Sequence, residues 1–389
     1  MSENDMPLDF GDPAGLEALR EELRAWLAEH PVPERRPGEE PAEFLHRWHR
    51  LLHSGGWVGL DVPEEYGGRG LTALHQVAIS DELGTCRAPG VPRIGYLAHA
   101  LLEFASPEQR TRLLPRMLTG DDVWCQGFSE PGAGSDLAGM TTYARRSDDG
   151  RHYVVNGQKL WTSYAQHSDY CLLLARTDRH TPAHSSITAF ALPLDRAGVT
   201  VRPLKAANRD DEFCELFLDD VTIGTDERIG AEGDGWRLAM TTVNYERNAL
   251  DTGHLPKYGL LLEHLRQELR ERRGELDDGL VSAVGRCVVD YQVLVAHARR
   301  RTAERLAGRT AGPESSVDKL LMTRAEQRLY ETALRVLPDE LALAGGAVYG
   351  EYLYSRAASV YGGTSQIQRN IIAKRLLRLP SASQSSRTS

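Results

Sequence analysis

Residues 154–178 read VVNGQKLWTSYAQHSDYCLLLARTD, and the reading of this stretch decides the class of the fold. Its β-branched and aromatic residues come in short runs punctuated by Asn-Gly, Ser-Asp and Thr-Asp, which is strand texture rather than helix texture. Asn156-Gly157 reads as a hairpin turn, and Trp161, Thr162 and Ser163 end the strand after it. Working outward, "HYVVNG", "SITAFALPL", "VTVRPLK" and "FCELFLDDVTI" repeat the pattern, with Asp219 and Asp220 read as a turn after a strand. A small antiparallel sheet domain or barrel is therefore expected between Val123 and Ile229.

Both flanks have a different period. Leu16, Leu19, Leu23, Trp26 and Leu27 fall at amphipathic-helix spacing, and further helices are expected at Phe44–Leu52, Leu74–Leu83, Tyr96–Phe104 and Glu108–Leu118. The last of these follows "SPEQ", a cap with proline in the first turn. Helix signals return after Gly235 and run to Leu379, interrupted near "AGPESS" and "ALAGGAVYG". The expected chain is α+β: an N-terminal helical domain (1–122), a middle antiparallel β-domain (123–232), a C-terminal helical bundle (233–380) and a disordered polar tail (381–389).

Bulk properties narrow the function. A net charge of −9 over 389 residues argues against a general nucleic-acid binder, which needs a basic surface to displace counterions. No uninterrupted apolar run nears the ~20 residues of a membrane span, and the acidic start "MSENDMPLDFGDPAG" is unlike a targeting peptide, so a cytoplasmic location without membrane contact is expected. Five widely spaced cysteines with no C-x-x-C read as reduced thiols.

Three segments can carry chemistry. In "CQGFSEPGAGSDLAG", residues 125–139, Gly132 and Gly134 permit tight turns while Ser129, Ser135 and bare amides can meet phosphate or flavin oxygens. A Gly/Pro turn between strands accounts for the composition equally well, and no helix follows as a dinucleotide fingerprint requires. Trp161 beside hydroxyls can pack in a core or stack on a flat cofactor. The closing stretch "YGGTSQIQRNIIAKRLLRLP" opens on Gly362 and Gly363, whose bare backbone precedes Thr364 and Ser365. That ledge holds neither acid nor base. His46, His49 and His53 share a helix but lack a legible carboxylate or cysteine partner, so a polar face is expected there and no metal.

Together these three segments, in this order, resemble the signatures of the acyl-CoA dehydrogenase family over roughly Leu16 to Pro380. The resemblance implies its three-domain fold, FAD as cofactor, and α,β-dehydrogenation of an acyl thioester. It places Gln126, Phe128, Ser129, Gly134, Ser135, Trp161, Ser163, Thr364 and Gln366 at flavin contacts, with Phe128 standing where an aliphatic residue is usual. Ser135, Gly362 and Gly363 would line the substrate site, and Arg247 would hold the CoA or pantetheine arm. Many members carry the catalytic glutamate directly after the tyrosine of the closing motif, where this chain has Gly362. Others, similar to isovaleryl- and long-chain acyl-CoA dehydrogenases, place it on an earlier helix. In "GWRLAMTTVNYERNAL" that position is Glu246, expected to take the Cα proton while hydride leaves Cβ for flavin N5, with the Gly362 N–H helping to stabilise the enolate.

Departures from the pattern widen the expectation about partners. No R-x-x-F-G segment follows Leu280, and Ala342 stands where a glutamine of the tetrameric members would be. The pattern is closer to bacterial members acting on sterol side chains, dicarboxylates or biosynthetic acyl groups, some of them heteromeric. A homodimer or tetramer is expected, with a heteromer possible, an acyl-CoA or carrier-protein thioester as substrate, and an electron-transfer flavoprotein as acceptor. A dehydrogenase of carrier-tethered groups and a non-catalytic partner subunit are the alternatives.

Overall fold

The computed structural model describes residues 15–86, 88–90, 95–208, 211–246, 254–272, 278–307, 309, 312–339 and 346–380. The chain begins with α1 (Leu16–Glu29), α2 (Pro41–Ser54), α3 (Ala73–Thr85), α4 (Gly95–Phe104) and α5 (Pro107–Thr119), each overlapping a helix expected from spacing. The start of α5 is fixed as the sequence indicated. The Ser106 side chain accepts from the Gln109 N–H, and the Gln109 side chain accepts in return from the Ser106 N–H.

Eight strands follow: β1 (Trp124–Gly127), β2 (Tyr143–Arg146), β3 (His152–Ser163), β4 (Tyr170–Arg176), β5 (Ile187–Pro193), β6 (Val199–Leu204), β7 (Phe213–Gly224) and β8 (Arg228–Ile229). They form one sheet ordered β6-β7-β3-β2-β4-β5-β8, with β1 parallel to β4 and most other pairings antiparallel. Alternation sends Tyr153, Val155, Leu216, Leu218, Val221 and Ile223 into a buried core together with Cys171 and Phe190.

Two turns expected from local sequence are instead the two sides of a single bulge. Asn156-Gly157 lies inside β3, where the register with β7 shifts between Val155 and Gly157, and Asp219-Asp220 lies inside β7 opposite it. Asn156 Nδ2 donates to Asp220 Oδ1, and the Asp220 N–H donates to Asn156 Oδ1, both at 2.9 Å. These reciprocal bonds hold Asp220 at φ 47° and keep two long strands continuous through residues that in isolation favour a turn.

The remaining helices are α6 (Gly235–Glu246), α7 (His254–Glu271), α8 (Asp278–Leu306), α9 (Ser315–Val336), α10 (Ala347–Ser355) and α11 (Ser365–Ile371). Two units result. One holds residues 1–31, 74–90 and 244–389, the other 32–73 and 91–243. The helices before the sheet thus divide. Val77 of α3 joins Leu262, Leu265, Val284, Cys287, Leu294 and Leu329 in the bundle core, whereas Gln109 of α5 donates to the Asp226 and Arg228 carbonyls at 2.7 and 2.8 Å. By length and composition α8 passes as a membrane-crossing helix, although Arg286 and Asp290 interrupt its apolar runs. Its inner residues Ala283, Val284, Cys287, Leu294 and Ala298 are buried.

Candidate active site

The sheet unit carries the first set of expected residues. Gln126 lies on β1, and Phe128 is buried just beyond it. The chain then reverses through a tight turn in which Glu130 and Ala133 exchange backbone hydrogen bonds of 3.1 Å. Gly134 and Ser135 are exposed on this loop, and a Cβ added at Gly132 or Gly134 would meet nothing within 4 Å. At Gly127 the same atom would lie 2.7 Å from Cys171 Sγ, so the loop is open where β1 is closed.

What fixes the loop is a pair of charges that the sequence reading passed over. Lys159 of β3 has no exposed surface, and its Nζ donates to the Phe128 carbonyl at 3.1 Å and to Glu130 Oε1 at 2.9 Å. Glu130 also accepts from Thr141 N, Thr141 Oγ1 and Thr142 N at 2.6, 2.7 and 3.0 Å. Burial pushes its carboxyl acidity down in strength, but the Lys159 charge and these donors outweigh burial and hold the pKa at about 2. The Leu160 N–H donates to the Ser129 carbonyl at 2.9 Å, so loop and strand are joined at three successive points.

Trp161 follows directly. Its indole is 59% exposed, its backbone sits at φ 63°, and its ring meets Phe213 edge-on at 5.8 Å. A tryptophan this exposed, held in a left-handed conformation, is not core packing, and its surface is accessible to a flat ligand. Ser163 ends β3, and the buried Thr162 hydroxyl has no partner among the described residues. FAD fits this unit: the exposed indole suits a flat ring, and the unobstructed loop at Gly132, Gly134 and Ser135 suits phosphate or ribityl oxygens.

The helical unit carries the second set. Gly362 and Gly363 both have left-handed backbones, φ 61° and 91°, and Thr364 caps α11 by accepting from the Ile367 N–H at 3.2 Å. Upstream, Thr323 Oγ1 of α9 donates to the Ala358 carbonyl at 3.1 Å, and Lys319 Nζ stands 3.7 Å from the centre of the Tyr361 ring. Downstream, the fully buried Gln368 donates from Nε2 to the carbonyls of both Gly362 and Gly363 at 3.0 Å. Gln366 is exposed on the next turn.

Glu246 is the last residue of α6, a helix that starts at Gly235, where any Cβ would come within 2.8 Å of the Ile187 backbone. The Glu246 side chain and all of Arg247 lie outside the described residues. On the first turn of the same helix, Arg237 pairs with Asp234 at 2.9 Å. His46, His49 and His53 do not share a polar face: His49 is buried and bonds the Leu118 carbonyl at 2.8 Å. No cluster of metal-ligating side chains occurs among the described residues.

Comparison with known proteins gives concordant results. Family models described as the acyl-CoA dehydrogenase N-terminal, middle and C-terminal domains match residues 14–121, 125–221 and 233–377. Acyl-CoA dehydrogenase IpdE1 of Mycobacterium tuberculosis is 38% identical, the match covering 94% of this chain and 98% of that one. Its namesake from Mycolicibacterium smegmatis is 36% identical with the same coverage. Among solved structures, the Tcur3481-Tcur3483 steroid ACAD superposes with TM-score 0.84 at 26% identity, covering 97% of this chain and 100% of that one. The ChsE4-ChsE5 complex from Mycobacterium tuberculosis superposes with TM-score 0.81 at 28% identity, covering 98% and 100%. With all three domains present in order and curated relatives alike along nearly their whole length, the chain belongs to the acyl-CoA dehydrogenase family, and FAD is the cofactor that membership implies.

Proposed function

We propose that the protein oxidises the Cα–Cβ bond of an acyl-CoA thioester, with the carboxylate of Glu246 accepting the Cα proton. The observation that carries the assignment is the ledge. Tyr361–Thr364 offers two glycines in left-handed conformations and no carboxylate, so the base must come from another element, and α6 ends on the glutamate the family pattern designates. FAD, held by the Trp161 surface and the Gly132–Ser135 loop, would supply the acceptor for the Cβ hydride, so that with the Cα proton on Glu246 the two losses would leave a conjugated enoyl thioester. A carboxylate brought beside an apolar acyl chain loses hydration, and its pKa rises toward the working pH. Arg247 is assigned to the pantetheine arm, Ser135 and Gly363 to the thioester, and the Gly362 N–H to the oxygen on which charge develops.

Electrons are proposed to leave to an electron-transfer flavoprotein. The likeness to the Tcur3481-Tcur3483 steroid ACAD supports bulky, steroid-derived acyl groups as the first thioesters to examine, and the two-chain names of this enzyme and of the ChsE4-ChsE5 complex support assembly with a second chain of the same family.

Anaerobic bleaching of the flavin by a panel of CoA and carrier-protein thioesters tests the reading. Glu246→Gln should stay yellow and bleach about 10²–10⁴-fold more slowly, the range for loss of a general base. Glu326 supplies the control. Burial outweighs the nearby Lys319 charge and pushes this α9 carboxyl up to about 7, an acidity suited to a base, yet it is 3% exposed. Glu326→Gln should bleach at the native rate. Native bleaching by Glu246→Gln, or loss confined to Glu326→Gln, would refute the assignment.

A further inference from the structure

The Gly362-Gly363 pair presents a physical conflict. Stabilising charge that appears only in the transition state requires donors already in place, and glycine is the residue least able to hold one backbone shape. The chain upstream is anchored: Val360 and Tyr361 donate their N–H groups to the Ala357 carbonyl at 2.8 and 2.9 Å, and Ala358 is held from α9 by Thr323. The chain downstream enters α11. Between them, Gln368 grips both glycines, through one amide nitrogen shared by two successive carbonyls. Because both partners are carbonyl oxygens, the gripping atom must be the nitrogen. A trans peptide sets each N–H opposite its carbonyl, so the same contact fixes the directions of the Gly363 and Thr364 N–H groups. It also leaves the Gly362 N–H between two fixed points.

The other half of the side chain sharpens the point. Gln368 Oε1 is buried and receives no hydrogen bond among the described residues. An unsatisfied buried acceptor is unfavourable, and an apolar side chain would fill the space without it. The donors are therefore what the position supplies.

We propose that Gln368 is a positioning residue for the dehydrogenation: it holds the Gly362 and Gly363 carbonyls so that the ledge keeps the one shape that receives the thioester oxygen, and it touches neither substrate nor flavin. The proposal rests on the acyl-thioester reading above.

The test uses holoenzyme carrying Gln368→Met, which keeps length and removes the donors, and Gln368→Glu, which donates only when protonated. Gln327→Met is the comparison, because Gln327 Nε2 makes the same kind of tie to the Ser355 carbonyl at 3.0 Å away from the glycines. Two readouts apply beyond melting temperature and flavin content. One is the split between kcat and KM for flavin reduction. The other is the pH at which a bound acyl-CoA with sulfur in place of Cβ loses its α proton, read from its long-wavelength absorbance; this ligand can lose the proton but has no hydride to give.

Gln368→Met should lower kcat by about 10–100-fold, the scale for small misplacement of reacting groups, with KM little changed. Its α-proton midpoint should rise by about one pH unit, a tenfold loss of enolate stabilisation. Gln327→Met should change neither. Gln368→Glu should recover toward native kcat as pH falls. Native kcat and midpoint in folded, flavin-replete Gln368→Met overturn the proposal. If that variant does not fold, a Gln368→Glu rate that parallels wild type at every pH overturns it instead. Wild-type holoenzyme that no thioester bleaches removes the dehydrogenase reading and this proposal together, an outcome distinct from both.

Discussion

An ammonium group with no exposed surface survives only through its neighbours, and Lys159 has three oxygen and sulfur neighbours arranged around it. Both members of the Lys159–Glu130 pair lie inside segments whose glycines, serines and tryptophan were legible as flavin contacts. The pair was missed because charged residues in loops and strands are usually solvated. The usable signal was alternation: counted by twos along β3, Lys159 falls on the buried side with Tyr153 and Val155, because the extra residue of the bulge lies on β7. Removing one member of a buried pair leaves the other charge uncompensated. Lys159→Met should therefore destabilise the protein by about 3–5 kcal/mol in denaturant unfolding. It should also release flavin, since the Phe128 carbonyl and the Glu130 turn lose their anchor. Adding Glu130→Gln should restore part of the stability by removing the stranded charge while keeping an acceptor for Thr141 and Thr142. A single variant as stable and as yellow as wild type would show that the pair does not hold the loop.

At the scale of elements, periodicity located the helices because the 3.6-residue pattern is local, whereas Asn156-Gly157 and Asp219-Asp220 misled because their pairing spans 64 residues. Helix α2 shows both sides of this. Its extent follows from spacing, but the burial of His49 depends on the Leu118 carbonyl 69 residues away. Burial is the largest influence on this imidazole and depresses its pKa to about 4, against a weaker upward pull from that carbonyl. The folded state thus binds a proton less readily than the unfolded one. The stability contributed by neutral His49 is complete above the unfolded value near 6.5 and declines as pH falls from there to about 4. Over that window the loss should reach about 3 kcal/mol, at 1.36 kcal/mol per unit. Urea midpoints measured between pH 7 and 4 should fall more steeply for wild type than for His49→Gln, which cannot titrate. Equal slopes would mean that His49 is protonated in the folded protein.

The whole molecule poses a question that no single element answers, namely what covers the outer face of α8. Val281, Val289 and Val293 are 50%, 61% and 47% exposed and recur at helical spacing on the side opposite Val284, Cys287 and Leu294. Gly285 and Ala296 lie on the same exposed side, so the face from Val281 to Ala296 runs about four turns. The sequence signalled association only indirectly, through motif departures, because spacing alone does not distinguish the inner from the outer apolar face of a helix that has both. Exposed apolar patches of this kind often serve as interaction sites, and self-association through this one is the prediction to test. Its geometry suits pairing with the same face of a second copy about a two-fold axis, in which each valine meets its counterpart's neighbours. Light scattering on purified holoenzyme should therefore give at least twice the mass of one chain at micromolar concentration. The double variant Val289→Glu and Val293→Glu should fall to the mass of one chain, because burying facing carboxylates costs more than the apolar contact returns. A wild-type protein that runs as one chain alone but doubles on co-expression with a related chain would assign the stripe to a heteromeric contact. A protein that stays at one chain's mass in both circumstances would show that the stripe is not a subunit interface.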